Sequence, residues 1–281
     1  MTLLALAVSG RGLCDPAEAV VRADDEALLR GRAAFETLRV YGGRPFRLEA
    51  HLERLEASAA GVDLPSGAGA ELGELAVLVL SDVAAELDGV ATVLRLVWTA
   101  GPVGGKPLGL ALLSEVPAWI EEVRVRGARA VSLLGVRAAA PWLLPGVKST
   151  SYAVNMAAEA EARRRGADDA VFVDHDGVVL EGTVTNVWWR RGDTLFTPSL
   201  ELGILAGVTR AVVRESAAAG GFSVQEGIYP LAEVLSAEEA FTTSSVREVM
   251  PLSELDGASF APGPAAAALQ AALRELAAQE G

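Results

Sequence analysis

Hydrophobic and polar positions switch between two spacings along this chain, and the switches mark its elements. Leu3 to Val8 reads as a first strand. After a polar stretch, Ala34 to Tyr41 reads as a second strand, Gly42-Gly43 as a hairpin turn and Arg44 to Leu48 as the returning partner. From Glu49 to Gly61 the apolar residues Leu52, Leu55, Ala59 and Ala60 fall at helical spacing, and Gly61 closes the pattern. A second helix is expected from about Ala70 to Leu87, then strands at Ala91 to Thr99 and Leu108 to Ser114.

Val116 to Ile120 breaks this rhythm and reads as a linker, which divides the chain into a domain of residues 1–115, a linker of 116–122 and a larger domain of 123–281. Beyond it come a strand from Ala128 to Val136, a rigid loop from Pro141 to Val147 and a helix from Tyr152 to Arg165. That helix ends in cationic residues, as its dipole favours. Short strands follow at Ala170 to Val173, Val178 to Glu181, Asn186 to Trp189 and Thr194 to Thr197, separated by Asp-Gly and Gly-Asp turns. An elbow from Gly203 to Gly207 feeds a helix from Val208 to Ala219, ended by Gly220-Gly221. A strand from Ala240 to Thr243 and a helix from Pro264 to Gln279 complete the pattern.

With 281 residues, 51% hydrophobic and 22% charged, the chain is long enough to bury two modest cores. Its net charge of −13 argues against nucleic acid as a partner, since that requires Lys and Arg to displace phosphate counterions. The lone Cys14 and the two histidines, His51 and His175, make an internal disulfide or a metal site an unfavourable reading. The N-terminus lacks a basic region ahead of its apolar run, and Leu75 to Leu80 meets Asp82 at once, so neither a signal peptide nor a membrane span is expected. A reducing cytoplasm follows as the expected compartment.

Gly101 to Lys106 imitates a phosphate loop but is one residue short, with Pro107 where Ser or Thr belongs. More promising is Lys148, whose neighbours Pro, Trp, Leu and Val would lower its pKa and make it a nucleophile, although a surface lysine fits the same pattern. Val208 and Thr209 open a helix behind Gly207, which favours an anion there, unless Thr209 merely caps its own helix. The hydroxyl-rich turn Thr242 to Ser245, including Ser244, suits a phosphate or simple turn capping. Arg54 offers a charge-assisted bond to that phosphate, and Glu181 a carboxylate for a heterocyclic nitrogen. A lysine, a carboxylate and a phosphate cup together suggest pyridoxal phosphate.

The residues resemble the class-IV, branched-chain-like pyridoxal phosphate enzymes, which include branched-chain and D-amino-acid aminotransferases and 4-amino-4-deoxychorismate lyase. The resemblance runs from FETLRVYGGRPFRLEAHLERL through GVKSTSYAVNMAAEAEARRRGADDAVFV, VVLEGTVTNVWW and TLFTPSLELGILAGVTR to TTSSVREVMP. It implies an α+β, two-domain fold of type IV, with a small α/β domain and a larger β-barrel-like one, the cofactor in the cleft between them, and a homodimer. It further implies that Lys148 binds the cofactor covalently and shuttles protons, and that Glu181 holds the pyridine nitrogen. Arg54, Val208, Thr209 and Ser245, with Ser244 beside it, then serve the phosphate, and Asn186 braces the loop.

Departures from the family pattern point to the substrate. Ala100 stands where D-amino-acid aminotransferases carry an arginine, while Arg30, Arg32 and Lys106 supply other cations suited to a dicarboxylate. These features lead to the expectation of a lyase that turns aminodeoxychorismate into 4-aminobenzoate and pyruvate. The alternatives are an aminotransferase for D- or branched-chain amino acids, which shares proton removal by Lys148, and a non-catalytic small-molecule-binding protein on the same scaffold.

Overall fold

Apolar alternation at Leu3–Val8 (β1), Ala33–Tyr41 (β3), Thr92–Thr99 (β5) and Leu108–Glu115 (β6) builds one sheet, which Gly12–Cys14 (β2) and Arg44–Pro45 (β4) complete. A computed structural model describes residues 2–83, 90–135 and 144–280. In it this sheet is antiparallel throughout, in the order β2-β1-β6-β5-β3-β4. The Gly42-Gly43 turn joins β3 to β4 with Tyr41 opposite Arg44. One face of the sheet carries Ala34, Leu38, Val40, Leu94, Leu96, Ala111 and Leu113. Against it pack Leu55 and Ala59 of helix α2 (Leu48–Gly61) and Leu72, Ala76 and Val79 of α3 (Ala68–Asp82). A short helix missed by the sequence reading, α1 (Glu26–Arg30), is capped by Asp25, which also accepts from Thr99 Oγ1 at 2.7 Å.

The second sheet has nine strands in the described residues: Ala128–Leu134 (β7), Asp169–Val173 (β8), Val179–Gly182 (β9), Asn186–Arg191 (β10), Thr194–Pro198 (β11), Ser223–Gly227 (β12), Glu239–Ser244 (β13), Glu248–Leu255 (β14) and Ala258–Ser259 (β15). Its order is β12-β11-β10-β13-β14-β7-β8-β9, with β15 on β14. The sheet curls so that β9, at one end of that path, comes back beside β10 and β11. Helices Trp119–Arg126 (α4), Ala153–Arg164 (α5), Val208–Ser216 (α6), Leu231–Leu235 (α7) and Pro264–Gln279 (α8) accompany it. α6 buries Val208, Thr209, Val212 and Val213, a stripe at helical spacing.

The chain divides into two compact units, one of Met1–Pro117, Val147–Tyr152 and Ala277–Gly281, the other of Ala118–Gly146 and Ala153–Leu276. The expected linker thus runs into α4 at Trp119, and a six-residue segment expected with the second domain groups with the first. Its physical reason is main-chain pairing: Phe35 N donates to Lys148 O at 3.1 Å, Ala34 bridges Ser149, and Thr150 N donates to Ala33 O at 2.9 Å. Pro141 to Leu143 of the expected rigid loop, and the residues after Val83 of the expected second helix, lie outside the described residues. No helix among the described residues is long and apolar enough to cross a membrane.

Candidate active site

In the first unit the segment Val147–Tyr152 is strapped along the start of β3. Gly31, in the left-handed region at φ 66°, makes this possible, since a Cβ there would stand 2.8 Å from Ser151 Oγ and 3.0 Å from Ser151 Cα. Thr150 Oγ1 donates to Gly31 O at 2.8 Å, and Lys148 N donates to the buried Ser58 Oγ of α2 at 3.1 Å. Main-chain bonds on both sides therefore fix where Lys148 leaves the strap. Its Nζ lies 4.4 Å from the centre of the Phe35 ring and 6.0 Å from that of Tyr152, whose ring meets Phe35 edge-on. The aromatic surroundings thus come from β3 and from the strap itself, residues that the reading of 141–147 did not single out.

Alternation along β3 turns Glu36 inward, among Ala34, Leu38 and Val40. A fully buried carboxylate demands partners, and α2 supplies two from one face. Arg54 Nε and Nη2 donate to its two oxygens at 2.6 and 2.7 Å, and His51 Nδ1 donates at 2.7 Å. Burial pushes the Glu36 carboxyl up, but Arg54 and His51 outweigh it and hold it at about 2. Burial also holds the His51 imidazole below its ordinary value; Glu36 opposes this, while Arg54 and Lys148 add to it. Arg54, expected at a phosphate, is therefore oriented by an anion that the sequence reading passed over. The signal was present: a glutamate at an inward position of an apolar strand, and His and Arg three residues apart on the facing helix.

In the second unit, Glu181 and Asn186 hold the main chain of one residue, Leu205, from its N–H and its carbonyl. Leu205 N donates to Glu181 Oε2 and Asn186 Nδ2 donates to Leu205 O, both at 2.9 Å. Asn186 thus braces the 203–207 elbow. Gly207 begins α6 with no side-chain cap, so Thr209 does not cap its own helix. A Cβ on Gly207 would stand 2.1 Å from Asn186 Oδ1, which reserves the position for glycine. Ser244 Oγ accepts from Arg247 N at 3.2 Å and closes the hydroxyl-rich turn that also holds Ser245.

The expected substrate cations do not share one situation. Arg32 directs its guanidinium to Glu26 Oε2, Val62 O and Asp63 O, and so ties α1 to the end of α2. Arg30 is largely exposed beside Glu26, and Lys106 is exposed in the loop between β5 and β6. Arg95, unremarked in the sequence, lies on β5 with its guanidinium over the Phe35 ring, 5.7 Å from the centroid.

The family model of class-IV amino-transferases matches residues 33–255. The chain belongs to the class-IV aminotransferase family. It is 33% identical to the aminodeoxychorismate lyase of Bacillus subtilis, over 94% of this chain and 91% of that protein. It is 36% identical to a bifunctional aminodeoxychorismate lyase and D-amino acid transaminase of Mycobacterium tuberculosis, over 87% and 89%. Among solved structures, a fold-IV transaminase from Curtobacterium pusillum superposes with a TM-score of 0.86 at 37% identity, covering 92% and 91% of the two chains.

As a class-IV enzyme the chain is pyridoxal-phosphate-dependent, with the α+β fold of type IV. Its residues fit that cofactor. The uncapped start of α6, behind a glycine that admits no side chain, offers backbone N–H groups to a phosphate. Glu181 presents a fixed carboxylate, and Lys148 an amine whose main chain is pinned on both sides. Among the described residues, no group of three or more His, Cys, Asp or Glu is placed to hold a metal ion.

Proposed function

We propose that this class-IV enzyme is a lyase that converts 4-amino-4-deoxychorismate to 4-aminobenzoate and pyruvate. Lys148 holds the cofactor and, once displaced by the substrate amine, removes the proton from the amine-bearing ring carbon. Bound pyridoxal phosphate supplies the electron sink for that carbon. Glu181 keeps the pyridine nitrogen protonated, Asn186 steadies the elbow, and Arg54, Val208, Thr209, Ser244 and Ser245 hold the phosphate. Loss of the enolpyruvyl group as pyruvate then leaves an aromatic ring. Arg30, Lys106 and Arg95 are the cations offered to substrate carboxylates, while Arg32 is committed to α1.

The observation that carries the lyase reading is position 100. Ala100 packs against the apolar core of the first unit, where the resemblance places the arginine of D-amino-acid aminotransferases. The M. tuberculosis relative, which bears both activities in its name, favours a second reading in which D-amino-acid transamination accompanies the lyase. We further propose a homodimer, in keeping with exposed Leu28 and Leu29 on α1 and Val154 and Met156 on α5, and a cytoplasmic location, in keeping with the lone Cys14.

The test is to give the cofactor-loaded protein aminodeoxychorismate and, separately, D-alanine with 2-oxoglutarate. Release of 4-aminobenzoate from the first supports the lyase. Pyruvate from the second without 4-aminobenzoate from the first replaces it with an aminotransferase, and both products together support the dual reading.

A further inference from the structure

We propose that the ion pair between the buried Asp169 and the part-buried Arg247 is a positioning device that locks two turns of the second unit, 183–185 and 244–247, into one arrangement. The inference rests on the reading that Glu181, Asn186, Ser244 and Ser245 face the cofactor. Asp169 is the first residue of β8 and is 2% exposed. One of its oxygens, Oδ1, accepts from Thr183 Oγ1 at 2.8 Å and from Ala170 N at 2.8 Å. The other, Oδ2, accepts from Arg247 Nη1 at 2.7 Å, with Thr185 Oγ1 at 3.4 Å.

Each turn also has bonds of its own. Gly182 N donates to Thr185 O at 2.7 Å and Thr183 N to Ala170 O at 3.2 Å, which shapes the link between Glu181 on β9 and Asn186 on β10. Ser244 Oγ accepts from Arg247 N, and the next residue, Glu248, is pinned at φ 55° by Arg124 and Arg274, each at 3.0 Å, and by Gln270 at 2.8 Å. Trp119 lies against the Arg247 guanidinium, 5.4 Å from ring centre to Cζ, and limits its freedom. Local bonds thus set the shape of each turn, while Asp169 joins them by binding Thr183 on one side and, 78 residues along the chain from itself, Arg247 on the other. A buried carboxylate satisfied by a hydroxyl on one side and a guanidinium on the other transmits a shift in either turn to its neighbour. Asp169 and Arg247 are positioning residues, acting on the nitrogen side of the cofactor through Thr183 and on the phosphate side through Ser244.

The experiment measures the dissociation constant of pyridoxal phosphate from the full-length apoprotein, the visible circular dichroism of the bound cofactor and the melting temperature. The variants are Thr183→Val, Arg247→Gln, Arg247→Lys and Asp169→Asn, with Glu181→Gln and Ser245→Ala as controls for the site reading. Thr183→Val keeps the side-chain shape and Arg247→Gln keeps a polar side chain while removing the charge and the guanidinium's reach, so both remain informative if Asp169→Asn fails to fold. In metal sites, removing the groups that orient the direct ligands costs about 10- to 100-fold in affinity. We expect about tenfold weaker binding in Thr183→Val and in Arg247→Gln, an altered dichroic band, and partial recovery in Arg247→Lys. A variant combining Thr183→Val with Arg247→Gln is expected to bind little worse than the weaker of the two single variants, because either change releases the lock. Lower melting temperatures with unchanged affinity and dichroism would make the pair merely structural and overturn the proposal. If the two controls also leave affinity unchanged, the site reading itself falls; if they weaken binding while Thr183→Val and Arg247→Gln do not, only the lock falls.

Discussion

The two units secure their buried carboxylates by contrasting means. In the first, Glu36 is held by an arginine and a histidine, three residues apart on one helix. In the second, Glu181 is engaged by a backbone N–H, and Asp169 by hydroxyls, a backbone N–H and a single arginine drawn from another turn. The difference shows what each arrangement protects. A full charge pair buried beside α2 makes Arg54 rigid, so that its remaining surface is presented in one orientation. A main-chain bond from the 203–207 elbow fixes the direction of the Glu181 carboxylate from the backbone itself.

The largest expected effect breaks the first unit's chemistry while leaving its packing intact. Lys148→Ala is expected to cut product formation at least about 1,000-fold, and to abolish covalent retention of the cofactor on dialysis, with little change in melting temperature. Glu36→Gln separates the units in the opposite sense. It leaves the Arg54 guanidinium buried without its anion, and a denaturant titration is expected to show a loss of about 3–5 kcal/mol. In the second unit Gly207→Ala drives a Cβ into Asn186 Oδ1, and overpacking of this kind costs about 1–3 kcal/mol. Cofactor affinity should fall with it, because the start of α6 is displaced; unchanged affinity on titration of the apoprotein would remove α6 from the phosphate site.

The smallest effect is a pH dependence. The unfolded chain protonates His51 near pH 6.5 and Glu36 near 4.3, whereas the folded first unit holds both below those values. The unfolded state then binds more protons, so stability is full above about pH 6.5 and is lost progressively as pH falls toward 2. Melting temperatures measured from pH 8 to pH 4 should decline, and His51→Gln should flatten the upper part of that decline.

Much of this arrangement is legible in the sequence wherever the determinant is local. β1, β3, β5 and β6 appear within a residue or two of their expected positions because apolar alternation fixes which face is buried. The 203–207 elbow and the start of α6 likewise follow from glycine placement. Lys148 is legible as a residue, whereas its contact with Phe35, 113 positions away, is not, because it arises only through strand pairing. Glu36 and His51 were passed over because a carboxylate within FETLRVY looks like an ordinary polar position until α2 is laid on the sheet. β14 was missed since Glu248 opens it in a left-handed conformation that sequence pattern does not announce. Arg32 looked like a substrate cation because the two carbonyls it caps lie at the end of another helix.

The strap also constrains how this chain can be cut and rejoined. Because Val147–Tyr152 groups with the first unit while the residues on both sides of it belong to the second, the chain passes between the units three times before its final segment. A fragment ending at Pro117 would carry the sheet, Phe35 and the Glu36 cluster yet lack the lysine. The complementary fragment would carry the lysine without the strand that places it. Neither fragment holds both the lysine and the strand that places it, so a permutation or exchange that cuts this chain between its units must keep the strap with β3.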